Sequence, residues 1–565
     1  MATINSTVAT LPVERLADAV RAVYGDHFAR ALDAGRATPF VLPYSLLGPF
    51  IVPTLWLAIP HVTVNPRLRH ARWLVLAFAA WFDVGVILRT SSPNVAFGYA
   101  AGLMAHWGLI STMGMCLWYN PQLDAARIVK RPKAKGGLLA SMNGRRAMAP
   151  QGERLPVANG NGNGIGNMDG IRQRKTGADS SVIPLDARAP EVAAMTAEEE
   201  CEYVWEAFPV RAPFSERLNW ALDMTTNFRF AGWNWSVPSI PHPDLKAPMD
   251  QPIDMSTMPY TTRSGYRRPR SLASFIRGRI VTIVVHYLIL DFLSVSMMKD
   301  PYFIIGPDAS PLRTAPLPAH LASLPPAALL AYRQLWSIAG VLSAITAVFK
   351  LNDLAQYYLA GRFLFPMRAE LWQHSSTFGS FTQVLDRGLP GFWGGWWHQT
   401  FRAQFVAPAR WLLDRGLVVR GSPVAALVMI VVSFTQSGLL HASGSISSVP
   451  ATLPWRPLLF FLLQMVGVGL QTAVASAAKK QLSSLPKAVR RVGNLVFTAA
   501  WLHCTSTFFI DDLASAGIWL LEPVPVSLFR FLGYGHPGDH WYRWDRDYFP
   551  RWHSARHWWQ SGFAI

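Results

Sequence analysis

Long apolar runs, separated by short charged stretches, constrain most strongly what this chain can fold into. Of its 565 residues, 51% are hydrophobic and 15% are charged, whereas soluble proteins carry roughly 25% charged residues. A helix needs about 20 apolar residues to cross a hydrocarbon core about 30 Å thick. A soluble fold would have to bury many helices that lack a polar face. The sequence therefore predicts an all-α integral membrane protein with about eight transmembrane helices.

Three predicted spans precede a long polar insertion, and five follow it. The second and the last span are short, and the first contains Pro43, Pro49 and Pro53, which membrane helices tolerate better than soluble helices do. The predicted spans are Phe40–Pro60, Trp73–Leu88, Val95–Trp118, Ile280–Met298, Leu329–Phe349, Val424–Ser443, Trp455–Ser476 and Leu495–Ile510.

The insertion is rich in charge, glycine and asparagine, including the run Asn159–Gly164. It cannot bury enough apolar surface to fold, so we interpret it as a disordered cytoplasmic linker. The chain is thus divided into an N-terminal tail (1–39), the first three transmembrane helices (40–118), this linker (119–200), a second membrane domain (201–533) and an aromatic-rich C-terminal tail (534–565).

The net charge of +18 comes from Lys and Arg residues that cluster in alternate loops, after the first, third, fifth and seventh spans. Lys and Arg are enriched in cytoplasmic loops, so these loops are predicted to face the cytoplasm and both termini the lumen. The four arginines of the N-terminal tail fit this orientation less well. Because the basic residues alternate with apolar runs, the predicted partner is a lipid bilayer and not nucleic acid. The predicted localisation is multi-pass, in the endoplasmic reticulum.

No metal or cofactor is predicted. The three cysteines form no CxxC pair, and the four C-terminal histidines follow no zinc-ligand spacing. The first forty residues lack the apolar core of a secretory signal.

The segment Gly391–Arg402 concentrates glycine, tryptophan and polar side chains in twelve residues. Its composition suits a membrane interface, which is the simpler explanation. The functional alternative is that Gly391, Gly394 and Gly395 let backbone approach a ligand closely, with His398 beside it. The predicted substrate-binding residues here are Trp393, Trp397, Gln399 and Arg402.

The segment Ser433–Ser443 places a histidine among polar residues inside a predicted span. An ionisable residue within a membrane segment is costly and suggests a functional site. His441 can accept a proton from an alcohol as general base, with Gln436 and Ser437 as substrate-binding neighbours. The alternative is a histidine that hydrogen bonds between helices. His106, His286 and His503 lack such a polar cluster and are predicted to be structural.

These segments resemble the wax-synthase-domain branch of the membrane-bound O-acyltransferases, particularly fungal secondary-metabolite O-acetyltransferases. The most specific match is Phe392–Arg402, which follows the family's pattern of FWG, two variable residues, WHQ and an aromatic–Arg pair. Gly395 and Trp396 stand where many relatives have basic residues, so the resemblance leaves charge contacts to CoA phosphates to Arg402 and neighbouring loop arginines. The resemblance covers roughly 215–235 and 350–533. Supporting matches are Glu216–Asp223, Asn227–Arg229, Gly232–Trp235, Ser437–His441, Phe509–Asp512, Leu521–Ser527 and Arg530.

The resemblance implies that region 201–533 is an acyltransferase domain that holds its thioester donor in a tunnel. It implies transfer of an acyl group, with acetyl favoured, from acyl-CoA as co-substrate to a hydroxyl of an apolar small molecule such as a terpenoid or polyketide. Acyl-CoA would enter from the cytoplasm past His398. The catalytic residues would be His441 as base and His398, with Gln399 helping it to stabilise the developing oxyanion.

Three alternatives stay open at this point. A long-chain-alcohol acyltransferase (wax synthase) would use the same chemistry on a different acceptor. A small-molecule transporter often shows inverted repeats, and no internal repeat is evident here. A non-catalytic scaffold would make His441 dispensable. Hydrolase and nucleotide-driven pump functions lack their motifs, since no GxSxG elbow and no GxxxxGK[ST] loop occurs.

Overall fold

A computed structural model describes residues 11–62, 66–133, 201–249, 251–308, 317–450 and 452–565. Most of the predicted linker, 134–200, lies outside these ranges. The chain divides into two units, Met1–Ile128 with Trp205–Ile565, and Val129–Val204.

Six helical segments in the described residues are long and apolar enough to cross a membrane. They coincide with six of the predicted spans, so the membrane class and the helical fold are confirmed. Their bounds are Arg67–Arg89, Val95–Trp118, Leu272–Met297, Pro326–Phe363, Pro423–Ser447 and Trp455–Ala477.

The prediction of about eight transmembrane helices differs from the structure at the first and last spans, which are not among these six segments. The first is a shorter apolar helix, Tyr44–Ala58, whose prolines accompany a π-helical turn at Leu47–Ile51. The last begins with charged residues at Lys487 and breaks at Ser506, so its apolar part is short.

Twelve helices of seven residues or more occur in the described ranges. We name them α1 Val13–Asp33, α2 Val52–Ala58, α3 Arg72–Arg89, α4 Val95–Met113, α5 Phe214–Thr225, α6 Leu272–Met297, α7 Pro326–Ala355, α8 Ala407–Asp414, α9 Pro423–Ser447, α10 Trp455–Ala477, α11 Lys487–Thr505 and α12 Thr507–Ser515. Shorter α-helical turns lie at Pro121–Asp124, Pro301–Ile305, Ala319–Ala322, Gly361–Phe363, Thr382–Arg387, Leu389–Gly391, Arg402–Phe405, Lys479–Ser484 and Leu528–Phe531.

Short strands accompany the helices, so the fold is mostly rather than purely helical. β1 pairs with β3 in parallel, and the order β2-β7-β6 is antiparallel, with Val41 opposite Ala564. β4 pairs with β5, so the boundary of the predicted linker at 119 is too early. The strands are β1 Thr38–Pro39, β2 Val41–Leu42, β3 Thr90–Ser91, β4 Ala126–Pro132, β5 Cys201–Ala207, β6 Arg551–His553 and β7 Gly562–Ala564.

The two chain ends lie on one face of the helical layer, which we call the tail face. Leu16 and Val20 of α1 pack in one apolar cluster with Phe303 and Trp519. The C-terminal strand β7 pairs with β2, and Arg456 at the start of α10 forms an ion pair of 2.7 Å with Asp308. The loops predicted to be poor in Lys and Arg therefore meet on this face.

The predicted basic loops meet on the opposite face, which we call the loop face. Arg69 donates to Asn120 at 3.0 Å and Arg217 to the carbonyl of Ala58 at 3.1 Å. Arg491 pairs with Asp386 at 2.7 Å. These contacts join the connections after the first, third, fifth and seventh predicted spans, as the charge pattern requires.

Helices α4 and α9 pack closely through small residues. A Cβ atom on Gly102 would overlap the Ser443 carbonyl, and one on Gly444 would lie 2.8 Å from the Tyr99 ring. The Ser447 hydroxyl donates to the Gly98 carbonyl at 2.7 Å. Small residues are how membrane helices approach closely, and this contact positions the site described next.

Candidate active site

A compact turn on the loop face is formed by the segment Gly391–Arg402. Phe392–Trp396 is π-helical, and Trp397 then turns to an extended conformation (φ −61°, ψ 148°). The Tyr266 hydroxyl donates to the Trp397 carbonyl at 2.9 Å, and the Gly379 amide donates to Trp396 at 2.9 Å. The turn is therefore fixed from outside by two hydrogen bonds.

Two of the three glycines in this turn serve packing instead of ligand approach. A Cβ on Gly391 would overlap the Gln383 carbonyl, and one on Gly395 would lie 2.9 Å from the Gln383 side chain. Only Gly394 faces open space within 4 Å. The predicted close approach of backbone to a ligand is thus restricted to Gly394.

Gln399 and Arg402 brace the turn from within. The Gln399 amide nitrogen donates to the carbonyls of Trp393 (3.0 Å) and Trp397 (2.7 Å). Arg402 donates to the Gln399 side-chain oxygen at 2.7 Å. Both ends of the Gln399 amide are therefore occupied by the protein. Direct contact of these residues with substrate stays a prediction, and their structural role is to hold the turn.

His398 projects into an aromatic environment. Its ring centroid lies 5.8 Å from that of Phe349, 6.2 Å from Phe378 and 6.1 Å from Phe401. Burial, with smaller contributions from nearby His441 and Arg229, lowers the pKa of His398 below its ordinary value. Its Nδ1 is buried and has no hydrogen-bond partner among the described residues. A neutral imidazole here can offer an N–H or a lone pair to a ligand.

His441 lies on α9, about two turns before the helix ends on the tail face. Its ring stacks on Phe461 at 5.0 Å and meets the edge of Phe509 at 5.1 Å. The Tyr99 hydroxyl of α4 lies 3.3 Å from both the His441 Nδ1 and the His441 carbonyl oxygen. Two aromatic contacts and one polar contact therefore fix the orientation of this imidazole.

The turn and His441 meet through aromatic residues. Trp393 contacts Phe461 at 5.8 Å, and Phe461 stacks on His441. His398 and His441 are also close enough for the charge of one to affect the other. The structure thus brings together two histidines that are separated in sequence. The predicted residues Gln436 and Ser437 lie one turn earlier on α9.

His106 of α4 joins this group, although its sequence neighbours gave no sign of it. Its Nδ1 lies 3.1 Å from the Ser443 hydroxyl, and Gln436 is near enough to interact with its ring. The signal that could have revealed this is the four-residue spacing of Gly98 and Gly102, which favours close helix packing.

No group of three or more His, Cys, Asp and Glu side chains in the described ranges could hold a metal ion. Trp541, Trp552, Trp558 and Trp559 of the C-terminal tail are exposed, with Trp558 82% accessible, which is typical of residues at a membrane interface.

Comparison with known proteins shows what the segment around this site is similar to. Residues 372–463 match the model of the membrane bound O-acyl transferase family, and His398 and His441 both lie inside this segment. With the six apolar helices, the match confirms the predicted resemblance: the chain is a membrane protein that is similar to the membrane bound O-acyl transferases over this segment.

Two curated relatives agree with this class. Acetyltransferase ple2 from Rhodocybe pseudopiperita is 25% identical over 332 residues, which cover 58% of this chain and 75% of the relative. O-Mevalon transferase yanI from Aspergillus niger is 26% identical over 247 residues, which cover 42% of this chain and 47% of the relative. No solved structure matches the chain significantly.

Proposed function

We propose that this protein transfers an acetyl group from acetyl-CoA to a hydroxyl of an apolar small molecule, of the terpenoid or polyketide kind. The observation that carries the proposal is that the His398 turn and His441 meet through aromatic residues, with Trp393 on Phe461 and Phe461 stacked on His441. The name of ple2 supports acetyl as the transferred group.

In this mechanism His441 accepts the proton of the acceptor hydroxyl. The oxygen attacks the thioester carbonyl, the new C–O bond forms, and the C–S bond breaks. The proton then passes from His441 to the departing CoA sulfur. His398 donates a hydrogen bond to the carbonyl oxygen as negative charge develops on it. The aromatic walls exclude water, which disfavours hydrolysis of the thioester.

Acyl-CoA reaches this centre from the loop face, which we assign to the cytoplasm from its excess of Lys and Arg. In this proposal the turn Gly391–Arg402 receives the donor, and Trp393, which contacts Phe434 and Phe461, lies between the turn and His441. An apolar acceptor enters from the lipid or from the tail face. The endoplasmic reticulum remains the proposed membrane.

The test is product formation by detergent-purified protein. Radiolabelled acetyl-CoA and palmitoyl-CoA are each offered with terpenoid alcohols, phenolic polyketides and a long-chain alcohol. We expect acetyl esters of the cyclic alcohols. Palmitoyl esters of the long-chain alcohol would instead identify a wax synthase. No ester with any pair, and no CoA binding by calorimetry, would contradict the proposal and favour a transporter.

A further inference from the structure

The Tyr99 hydroxyl lies beside the Nδ1 atom of His441, although Tyr99 belongs to α4, outside the segment that matches the family. The Tyr99 residue is 7% exposed, so water does not compete freely for its hydroxyl. Tight packing holds it in place, since a Cβ on Gly444 would lie 2.8 Å from its ring. A buried phenol needs a hydrogen-bond partner. The partners of the Tyr99 hydroxyl are the Nδ1 atom and the carbonyl oxygen of His441.

The two contacts of this hydroxyl determine how protons are arranged on His441. The oxygen lies 3.3 Å from the His441 carbonyl, to which it donates, and 3.3 Å from Nδ1. A phenol has one proton. If that proton is given to the carbonyl, the contact with Nδ1 is a hydrogen bond only when Nδ1 carries a proton and donates. In this arrangement each of the two contacts is a hydrogen bond with its own proton.

A neutral imidazole protonated at Nδ1 has its lone pair at Nε2. The partner of one ring nitrogen thereby sets the role of the other. The flat contact with Phe461 and the edge contact with Phe509 prevent the ring from exchanging the two nitrogens by rotation. The Nε2 lone pair is therefore presented on the side of the ring away from Tyr99.

We infer that Tyr99 is a positioning residue that fixes His441 in the Nδ1–H tautomer, so that Nε2 takes the proton of the acceptor hydroxyl. This inference rests on the proposed function. When Nε2 is protonated, the Nδ1–H bond to the Tyr99 oxygen remains, and the same Nε2 proton is later given to the CoA sulfur. Span three thus contributes to catalysis and is not only an anchor.

The test compares Tyr99→Phe with Tyr302→Phe. Tyr302 is a matched control, because it is also buried and its hydroxyl donates to Asp511 at 2.7 Å and not to His441. We expect Tyr99→Phe to lower kcat by about 10- to 100-fold with KM within about twofold, since only proton transfer is affected. Tyr302→Phe should change kcat by less than about twofold. Thermal unfolding verifies that both variants fold.

A second readout does not depend on activity. Nitrogen-15 spectra of reconstituted protein with labelled histidine report which ring nitrogen carries the proton, and His441→Gln assigns the signal. We expect the Nδ1–H tautomer in the wild type and a shift towards Nε2–H in Tyr99→Phe.

An unchanged tautomer in Tyr99→Phe, or an unchanged kcat, overturns the inference. If the wild type transfers no acyl group, the proposed function fails by itself. The spectra then still decide whether Tyr99 sets the tautomer of His441.

Discussion

His398 and His441 are both surrounded by aromatic rings, but only His441 has a polar partner on its ring. Tyr99 holds the His441 imidazole, whereas the Nδ1 of His398 has no partner in the described part of the chain. A buried polar atom without a partner costs free energy, and a catalytic role is one of the explanations for such an atom. This difference agrees with the proposed roles. His441 acts as the base with a fixed tautomer, and His398 has a free ring nitrogen for a hydrogen bond to the acyl donor.

The lowered pKa of His398 makes stability depend on pH. Below about pH 6.5 this histidine binds a proton in the unfolded chain but not in the folded protein, so stability falls as the pH falls. The variant His398→Gln has no imidazole at this position and therefore lacks this loss of stability at low pH. We expect the Tm difference between pH 7.5 and pH 5.5 to be smaller in His398→Gln than in the wild type.

The control for this prediction is His540→Gln, because His540 is exposed. It should retain the pH dependence of the wild type. Equal pH dependence in the wild type and in His398→Gln would show that His398 is protonated in the folded protein.

At the scale of secondary-structure elements, the packing of α4 against α9 determines where Tyr99 lies relative to His441. Gly102→Ala places a methyl group against the Ser443 carbonyl and should destabilise the protein by about 1–3 kcal/mol, as overpacking does. It should also move Tyr99 away from His441 and lower kcat. Thermal unfolding and steady-state kinetics measure the two effects.

Gly85→Ala provides the matched control, since Gly85 lies in membrane-spanning α3 with no atom within 4 Å of an added Cβ. It should be neutral or stabilise the helix by about 0.5–1 kcal/mol. If Gly102→Ala behaves like Gly85→Ala, the packing of α4 on α9 does not hold the site together.

The local sequence pattern was sufficient to predict the membrane-spanning helices and to select His398 and His441 as candidate site residues. The apolar runs were long enough to place six spans, and the Trp-His-Gln segment and the intramembrane His441 stood out by residue type. Tyr99 and His106 could not be found in this way. Tyr99 and His441 are 342 positions apart, and their meeting depends on which helices pack together, which periodicity does not specify.

The first and last spans show a second limit of prediction from the sequence. Hydropathy gave their positions, but the prolines around Leu47–Ile51 and the charges at the start of α11 shorten their apolar lengths. The packing roles of Gly391 and Gly395 were likewise hidden, because Gln383 approaches them from another part of the chain.

An ion-pair network joins the two chain ends at the scale of the whole molecule. Glu522, 3% exposed, accepts from Arg21 of α1 at 2.9 Å, from Arg530 at 3.0 Å and from Arg543 at 2.8 Å. Glu522→Gln leaves three guanidinium groups without this carboxylate. We expect a loss of about 3–5 kcal/mol in the free energy of unfolding, measured by SDS titration.

The exposed pair of Asp414 and Arg420 provides the comparison. Asp414→Asn should change the free energy of unfolding by about 0–1 kcal/mol, because solvent screens exposed pairs. An equal loss in the free energy of unfolding in both variants would mean that the Glu522 ion pairs do not hold the two chain ends together.

The orientation of the two faces is tested by labelling single cysteines in a cysteine-free background. In sealed microsomes, an impermeant maleimide should label Ser483→Cys on the loop face without permeabilisation. Ser323→Cys on the tail face should be labelled only after permeabilisation. The reverse result would place the His398 turn in the lumen and exclude direct entry of cytoplasmic acyl-CoA.

The most direct test of the account is alcohol-dependent release of CoA thiol by wild type and His441→Gln. His286→Gln, which changes another histidine within a span, controls for the loss of an imidazole. We predict that His441→Gln lowers kcat by about 10²–10⁴-fold, the usual contribution of a general base, with unchanged Tm. His286→Gln should retain activity. Release by a folded His441→Gln within about tenfold of the wild type would contradict the assignment of His441 as the base.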